Sequence, residues 1–152
     1  MMIDEFELRC PITADLALIR DLVGMHARHC GLPGHRLEDL VLAVNEAVTN
    51  VLDHGGGAGT VTARQAGDLI MVEVLDLAGG LTPDHLACAT VDPTAARGYG
   101  LWVIQHLCDE VTLRQTERGS LLTLFVRHRA PAPRRNEPGP FVRPRSELAF
   151  TL

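Results

Sequence analysis

Three short stretches of this 152-residue chain carry residue types and spacings suited to chemistry on a nucleotide. In the first, Glu46 and Asn50 stand one helical turn apart and lead, with Asp53, into the triple glycine Gly55-Gly56-Gly57. A carboxylate can orient or deprotonate an attacking hydroxyl, and an Asn carbonyl is a hard oxygen ligand suited to Mg²⁺. In the second, Asp76 closes an apolar run and is followed by Leu77-Ala78-Gly79-Gly80. A buried carboxylate there can accept a hydrogen bond from an exocyclic amine such as that of adenine, and the glycines let backbone approach a base. In the third, Gly98-Tyr99-Gly100-Leu101 opens a helix whose unsatisfied amides form an anion site. Each stretch alone has a plainer reading: a solvated helix face, a strand-to-turn signal, a bare G-x-G with Tyr99 as a packing residue. Their order, separated by a hairpin and a lid-length loop, is what gives them weight together.

Other chemistries are poorly served. All 14 basic residues are Arg, which removes Schiff-base catalysis and the phosphate-binding lysine of a P-loop. Ser120 and Ser146 are the only serines, and neither lies in a G-x-S-x-G elbow. Cys10, Cys30, Cys88 and Cys108 form no C-x-x-C pair and read as reduced thiols. His26, His29 and Cys30 have the spacing of adjoining helical positions, a weak metal signal. The plainer reading is a helix C-terminus with favourably placed histidines and a buried Cys. A net charge of −5 gives no general attraction to phosphate backbones, so direct nucleic-acid binding is not expected.

The elements that must position these residues can be read in order. Glu5 to Cys10 alternates as a first strand, stopped by Pro11. Thr13 can cap a helix to about Cys30 with Leu16, Ile19, Leu22, Val23 and Met25 as its apolar stripe and Gly31 as its exit. A second helix is expected from about His35 to His54, with Leu37, Leu40, Val41, Val44, Val48, Val51 and Leu52 on one side and Glu46, Asn50 and Asp53 on the other. Strands Thr60 to Gln65 and Leu69 to Leu75 form a hairpin about Ala66-Gly67-Asp68. An irregular stretch then spans about Leu77 to Arg97, where Pro83 and Pro93 argue against a continuous element. A third helix begins at Gly98 with Leu101, Val103, Ile104 and Leu107 inward, and a final hairpin pairs Val111 to Gln115 with Leu121 to Arg127.

Length and composition fit one domain, here about residues 1–129, with 46% apolar and 22% charged residues. Residues 130–152 hold five of the nine prolines and four Arg against two Glu, the composition of a flexible tail. Aliphatic runs of about four residues are far short of the ~20 that a membrane span needs. Asp4, Glu5 and Glu7 stand where a secretory signal would be positive, so a cytoplasmic address is expected.

The three motifs together resemble those of the GHKL ATPases. Glu46-Ala47-Val48-Thr49-Asn50 looks like the N-box, Asp76 to Gly80 like the first glycine box and Gly98 to Leu101 like the second. Within that superfamily the chain is most similar to the small serine kinases that act as bacterial anti-sigma factors, through Asn45-Glu46-Ala47-Val48-Thr49-Asn50 and the run from Gly100-Leu101-Trp102-Val103-Ile104 through Leu107-Cys108-Asp109-Glu110-Val111. The resemblance covers about residues 5 to 128. It implies an α+β fold, the two-layer Bergerat sandwich of helices on a mixed, mainly antiparallel sheet, with ATP and Mg²⁺ as cofactors. It implies further that Asn50 holds Mg²⁺ and Glu46 activates the nucleophile. Asp76 would read adenine beside Gly80, Gly98 and Gly100 would present amides to phosphates, Arg97 would approach the γ-phosphate, and Thr123 would lie near adenine. The partners it implies are a sigma factor and an anti-sigma-factor antagonist, with a homodimer as the assembly.

Two departures stand out: Ala78 replaces the first glycine of the D-x-G-x-G box, and Tyr99 stands where relatives often carry a charged residue. A different class of function, a nucleotide-dependent binding module of the same fold without efficient kinase activity, therefore stays open. A sensor-kinase domain phosphorylating His is less favoured, since no dimerisation helix or phospho-acceptor segment precedes the N-box in this sequence.

Overall fold

The computed structural model describes residues 7–54, 57–87 and 99–128. Five strands form one sheet: β1 (Leu8–Pro11), β2 (Gly59–Ala66), β3 (Leu69–Asp76), β4 (Glu110–Thr116) and β5 (Gly119–Arg127). Their order is β1-β2-β3-β5-β4, and all four pairings are antiparallel, so the sheet expected to be mixed has no parallel pair among the described residues. The described residues also form four helices: α1 (Leu16–His29), α2 (Gly34–His54), α3 (Pro83–Ala87) and α4 (Tyr99–Leu107). Helix α2 packs against both α1 and α4 and meets β3 and β5 of the sheet.

The strand periodicity decides which side of the sheet meets the helices. Val61 and Ala63, then Ile70, Val72 and Val74, then Leu122, Leu124 and Val126 are fully or nearly fully buried and share one core with Leu40, Val44, Val48 and Ile104 of the helices. The alternate residues of the same strands, among them Arg64, Glu73 and Leu121, lie on the opposite face. The Arg64 guanidinium meets the Glu73 carboxylate there at 2.6 Å.

Local chemistry sets the boundaries. Pro11 ends β1 yet pairs with Thr60, which an edge strand tolerates because a missing N–H costs no ladder bond on its open side. Asp15, rather than Thr13, caps α1: its Oδ1 accepts from Leu18 N at 3.1 Å, while Thr13 Oγ1 accepts from Asp15 N just ahead of the helix. The exit is as expected, with Gly31 N bonded to Arg28 O and Leu32 N to Ala27 O in a Schellman pattern. Met25 is a correction to the expected stripe, being 62% exposed. It lies about 200° around the helix from the buried Val23. The irregular stretch contains α3 because Pro83, which cannot continue an element, can begin one. Thr82 N donates to His85 Nδ1 and His85 N to Thr82 O, closing the first turn.

Helix α2 is more deeply enclosed than its apolar stripe suggests. Ala43, Ala47 and Asn45 are buried as well, since α1, α4 and the sheet cover it on three sides. Buried Asn45 is satisfied across helices, its Oδ1 accepting from Arg20 Nη1 at 2.9 Å. The far edge is tied by Arg36, which pairs with the Asp109 carboxylate and donates from Nε to Arg127 O at 3.1 Å, while Arg127 N donates to the same carboxylate. Leu124, fully buried in β5 between β3 and β4, should report this core: Leu124→Ala is expected to cost about 2–5 kcal/mol in denaturant unfolding. A loss below 1 kcal/mol would mean that the two layers are not packed as described.

Candidate functional site

Helix α2 presents Glu46 and Asn50 on the side that faces α4, and the contact between them is unusually close. A Cβ added at Gly100 would lie 3.0 Å from Glu46 Oε2 and 3.4 and 3.5 Å from Asn50 Oδ1 and Nδ2. The lack of a side chain at Gly100 therefore lets the first turn of α4 approach the pair. The helix start brings backbone N–H groups that the helix itself leaves unsatisfied, which favours negative charge at this point. Asp53, exposed and seven residues beyond Glu46, extends the same polar side of α2.

Glu46 is only partly accessible, and burial raises its carboxyl pKa from 4.5 to about 7. A carboxyl with such a pKa is poised to take a proton near neutrality. Among the described residues no cluster of three His, Cys, Asp or Glu side chains could hold a metal, so the His26–His29–Cys30 spacing builds no such site. His26 instead is buried, with its ring 3.9 Å from the Cys30 sulfur. Among the described residues, the Asn50 side-chain amide offers a hard oxygen beside the α4 start, next to the Glu46 carboxylate. One hard oxygen suits Mg²⁺, which keeps waters and takes phosphate oxygens for the rest of its shell.

The second part of the site is built by the sheet. Gly59, Asp76, Ser120 and Gln115 pair in register across β2, β3, β5 and β4, on the helix-facing side. Gly59 begins β2 five residues after α2 ends, so this row closes the same end of the sandwich as the Asn50 turn. Asp76 is 3% exposed, and its Oδ1 accepts from Ala78 N at 3.0 Å. Gly79 N donates to Asp76 O at 3.1 Å. The left-handed residue of this turn is Gly79, at φ +68°, whereas no non-glycine residue described has positive φ. Ala78 therefore sits without strain in place of the box's first glycine.

The expected site residues divide as follows. Glu46, Asn50 and Gly100 come together, and Asp76 with Gly80 stands at the same end of the fold. Leu101 is buried in the core, so its side chain packs and only its backbone could face a ligand. Arg97 and Gly98 lie outside the described residues, as does the side chain of Tyr99. Thr123 is a correction. It pairs with Glu73 and Thr112, one residue out of phase with Leu122 and Leu124, and so belongs to the opposite face. That face carries a depression of about 420 Å³ lined by Thr62, Glu73, Leu75 and Leu121, away from the helix layer that bears Glu46. The residue the sequence reading missed is Ser120, 1% exposed and directly opposite Asp76. Counting even-numbered positions from Leu122 and Leu124 back to the turn would have found it.

Burial of Glu46 has a testable cost. Its folded pKa exceeds the unfolded value, so the protonated form is favoured in the fold and stability falls as pH rises from about 4.5 through about 7. Glu46→Gln should accordingly raise the melting temperature at pH 8 and change it little at pH 5. An equal effect at both pH values would show that Glu46 is solvated.

Residues 12–126 match the family described as the histidine kinase-like ATPase domain. The chain is 30% identical over 129 residues to Serine-protein kinase RsbW of Bacillus pumilus (strain SAFR-032), covering 74% of this chain and 79% of that protein. Among solved structures it resembles the RsbU and RsbW domains of Rv1364c from Mycobacterium tuberculosis, with a TM-score of 0.59 and 21% identity over 80% of this chain. This chain spans only 32% of that one, and the likeness is one of fold. A matched family model over most of the sheet and helices, and a homologue of similar length, place the chain in the histidine kinase-like ATPase domain family.

Proposed function

We propose that the protein binds ATP with Mg²⁺ and transfers its γ-phosphoryl group to a serine of a protein substrate. The observation that carries this reading is the packing of Gly100 against Glu46 and Asn50, which sets a helix start, a poised carboxylate and a hard oxygen donor side by side. Asp76 supports adenine selection: a nearly buried carboxylate with one oxygen engaged by Ala78 N can accept from an exocyclic amine through the other. Mg²⁺, when bound, supplies charge neutralisation at the phosphates, and Asn50 is the residue that would hold it. Glu46 accepts the proton of the substrate hydroxyl, and Gly98, Gly100 and Arg97 serve the phosphates. Asp53, Tyr99 and Leu101 frame that end of the site.

The resemblance to anti-sigma-factor kinases extends the proposal to partners, namely a sigma factor that is sequestered and an antagonist protein that is phosphorylated, with the chain acting as a homodimer in the cytoplasm. Among the described residues no helix is long and apolar enough to cross a membrane. A second reading, a nucleotide-dependent binding module without efficient transfer, is favoured by Tyr99 in place of a charged residue and by the lack of any lysine.

Several measurements separate these readings. Calorimetry with Mg-ATP and Mg-GTP should show preference for the adenine nucleotide, and Asp76→Asn should weaken it by about 1.5–3 kcal/mol. Glu46→Ala should abolish transfer while leaving ATP binding largely intact, whereas Asn50→Ala should damage both. The transfer rate should rise with pH through about 7 as the Glu46 carboxyl deprotonates. A wild-type protein that binds ATP and a sigma factor yet phosphorylates no antagonist would establish the binding module instead. Absence of adenine-nucleotide binding at millimolar concentration would overturn both. Truncation after Arg129 should leave the folded, ATP-binding domain; a large fall in melting temperature would show that Phe141 or Phe150 packs on the body.

A further inference from the structure

The segment that follows Asp76 has little of its own to hold it. Leu77, Ala78 and Gly80 are all exposed, so side-chain burial does not fix the backbone there. What does hold it comes from the neighbouring hairpin. Gln115 and Ser120 pair in register, and their side chains form a closed set of hydrogen bonds with the loop. Gln115 Nε2 donates to Leu81 O and, at 3.1 Å, to Ser120 Oγ, with Gly79 O at 3.4 Å alongside. The Ser120 hydroxyl in turn donates to Leu81 O at 2.6 Å. Gly79 lies against this pair, with its Cβ direction 3.7 Å from Gln115 Oε1 and 3.9 Å from Ser120 N.

We propose that Gln115 is a positioning residue for the nucleotide: it straps the Gly79–Leu81 backbone to β4 and β5 and so fixes the wall beside Asp76 before any ligand arrives. The inference rests on the reading of Asp76 as the adenine-selecting group. The physical argument is pre-organisation. A loop already held by hydrogen bonds from Gln115 and Ser120 to Leu81 O and from Gln115 to Gly79 O loses less conformational freedom when a base docks on it. Gln115 sits on an edge strand and is itself exposed, so its removal leaves the core untouched.

The test uses the full chain with Mg-ADP and Mg-ATP. Gln115→Met keeps the length and removes the donor. It should lower the affinity for both nucleotides by about three- to tenfold, the worth of one net hydrogen bond, without moving the melting temperature. Gln115→Lys, which restores an N–H donor, should recover most of that loss. Gln115→Met combined with Ser120→Ala should lose more than either single change, because each side chain donates to Leu81 O on its own. Amide exchange at Gly79 and Thr82, both hydrogen-bonded in the loop, should quicken in Gln115→Met without nucleotide. If wild type binds nucleotide and Gln115→Met binds equally well, the strap is not a positioning device and the nucleotide reading stands. If wild type binds no adenine nucleotide, that reading fails first and the positioning role fails with it.

Discussion

The close approach of two helices at one glycine is the constraint on which the rest of the site depends. Glycine at position 100 leaves room for the start of α4 to meet Glu46 and Asn50; an added carbon would lie 3.0 Å from Glu46 Oε2, which would have to shift by a few tenths of an ångström. The approach has opposing electrostatic effects. A helix start favours an anion, while withdrawal from water disfavours the charged carboxylate. Burial raises the Glu46 carboxyl to about 7. The same closeness that crowds the site thus tunes its acid–base group. Helix α2, packed against α1, α4 and the sheet, holds these two side chains in place.

The sheet supplies the other half through parity. One register row, Gly59, Asp76, Ser120 and Gln115, carries every sheet residue placed at the site, and a shift of one residue would send each to the opposite face. Thr123 shows how this limits a reading of the sequence. Its type suits a contact with a base, but alternation from Leu122 and Leu124 puts it with Glu73 and Thr112 on the side away from the helices. Ser120, less conspicuous in sequence because it follows a turn glycine, has the correct parity and lies across from Asp76.

Much of the architecture was legible because its signals are local. The apolar stripe of α2, the two hairpins, the Gly31 exit and the inward residues of α4 follow from period and turn chemistry, and all are present. What escaped was set by tertiary surroundings. Ala43, Ala47 and Asn45 are buried because helices cover α2 on sides that an amphipathic pattern cannot announce, and Met25 is exposed because α1 is covered on one side only. Helix α3 escaped because Pro83 reads as a breaker unless the Thr82–His85 closure ahead of it is known. In the site, Glu46, Asn50, Asp76 and Gly100 were legible as types at spacings, whereas the strap ties Leu81 to Gln115 and Ser120, 34 and 39 positions further along the chain, a contact that no local pattern announces.

We propose that an adenine nucleotide docks between the α4 start, the Glu46–Asn50 turn and the Asp76 row. Backbone amide shifts of the full chain, followed during a Mg-ATP titration, test it most directly. Saturable changes are expected at Gly100, Leu101 and the Asp76 to Gly80 turn, together with the Asn50 side-chain amide, and much smaller ones from Mg-GTP. Shifts concentrated at Thr62, Glu73 and Leu121 on the opposite face of the sheet, or none at millimolar nucleotide, would contradict it.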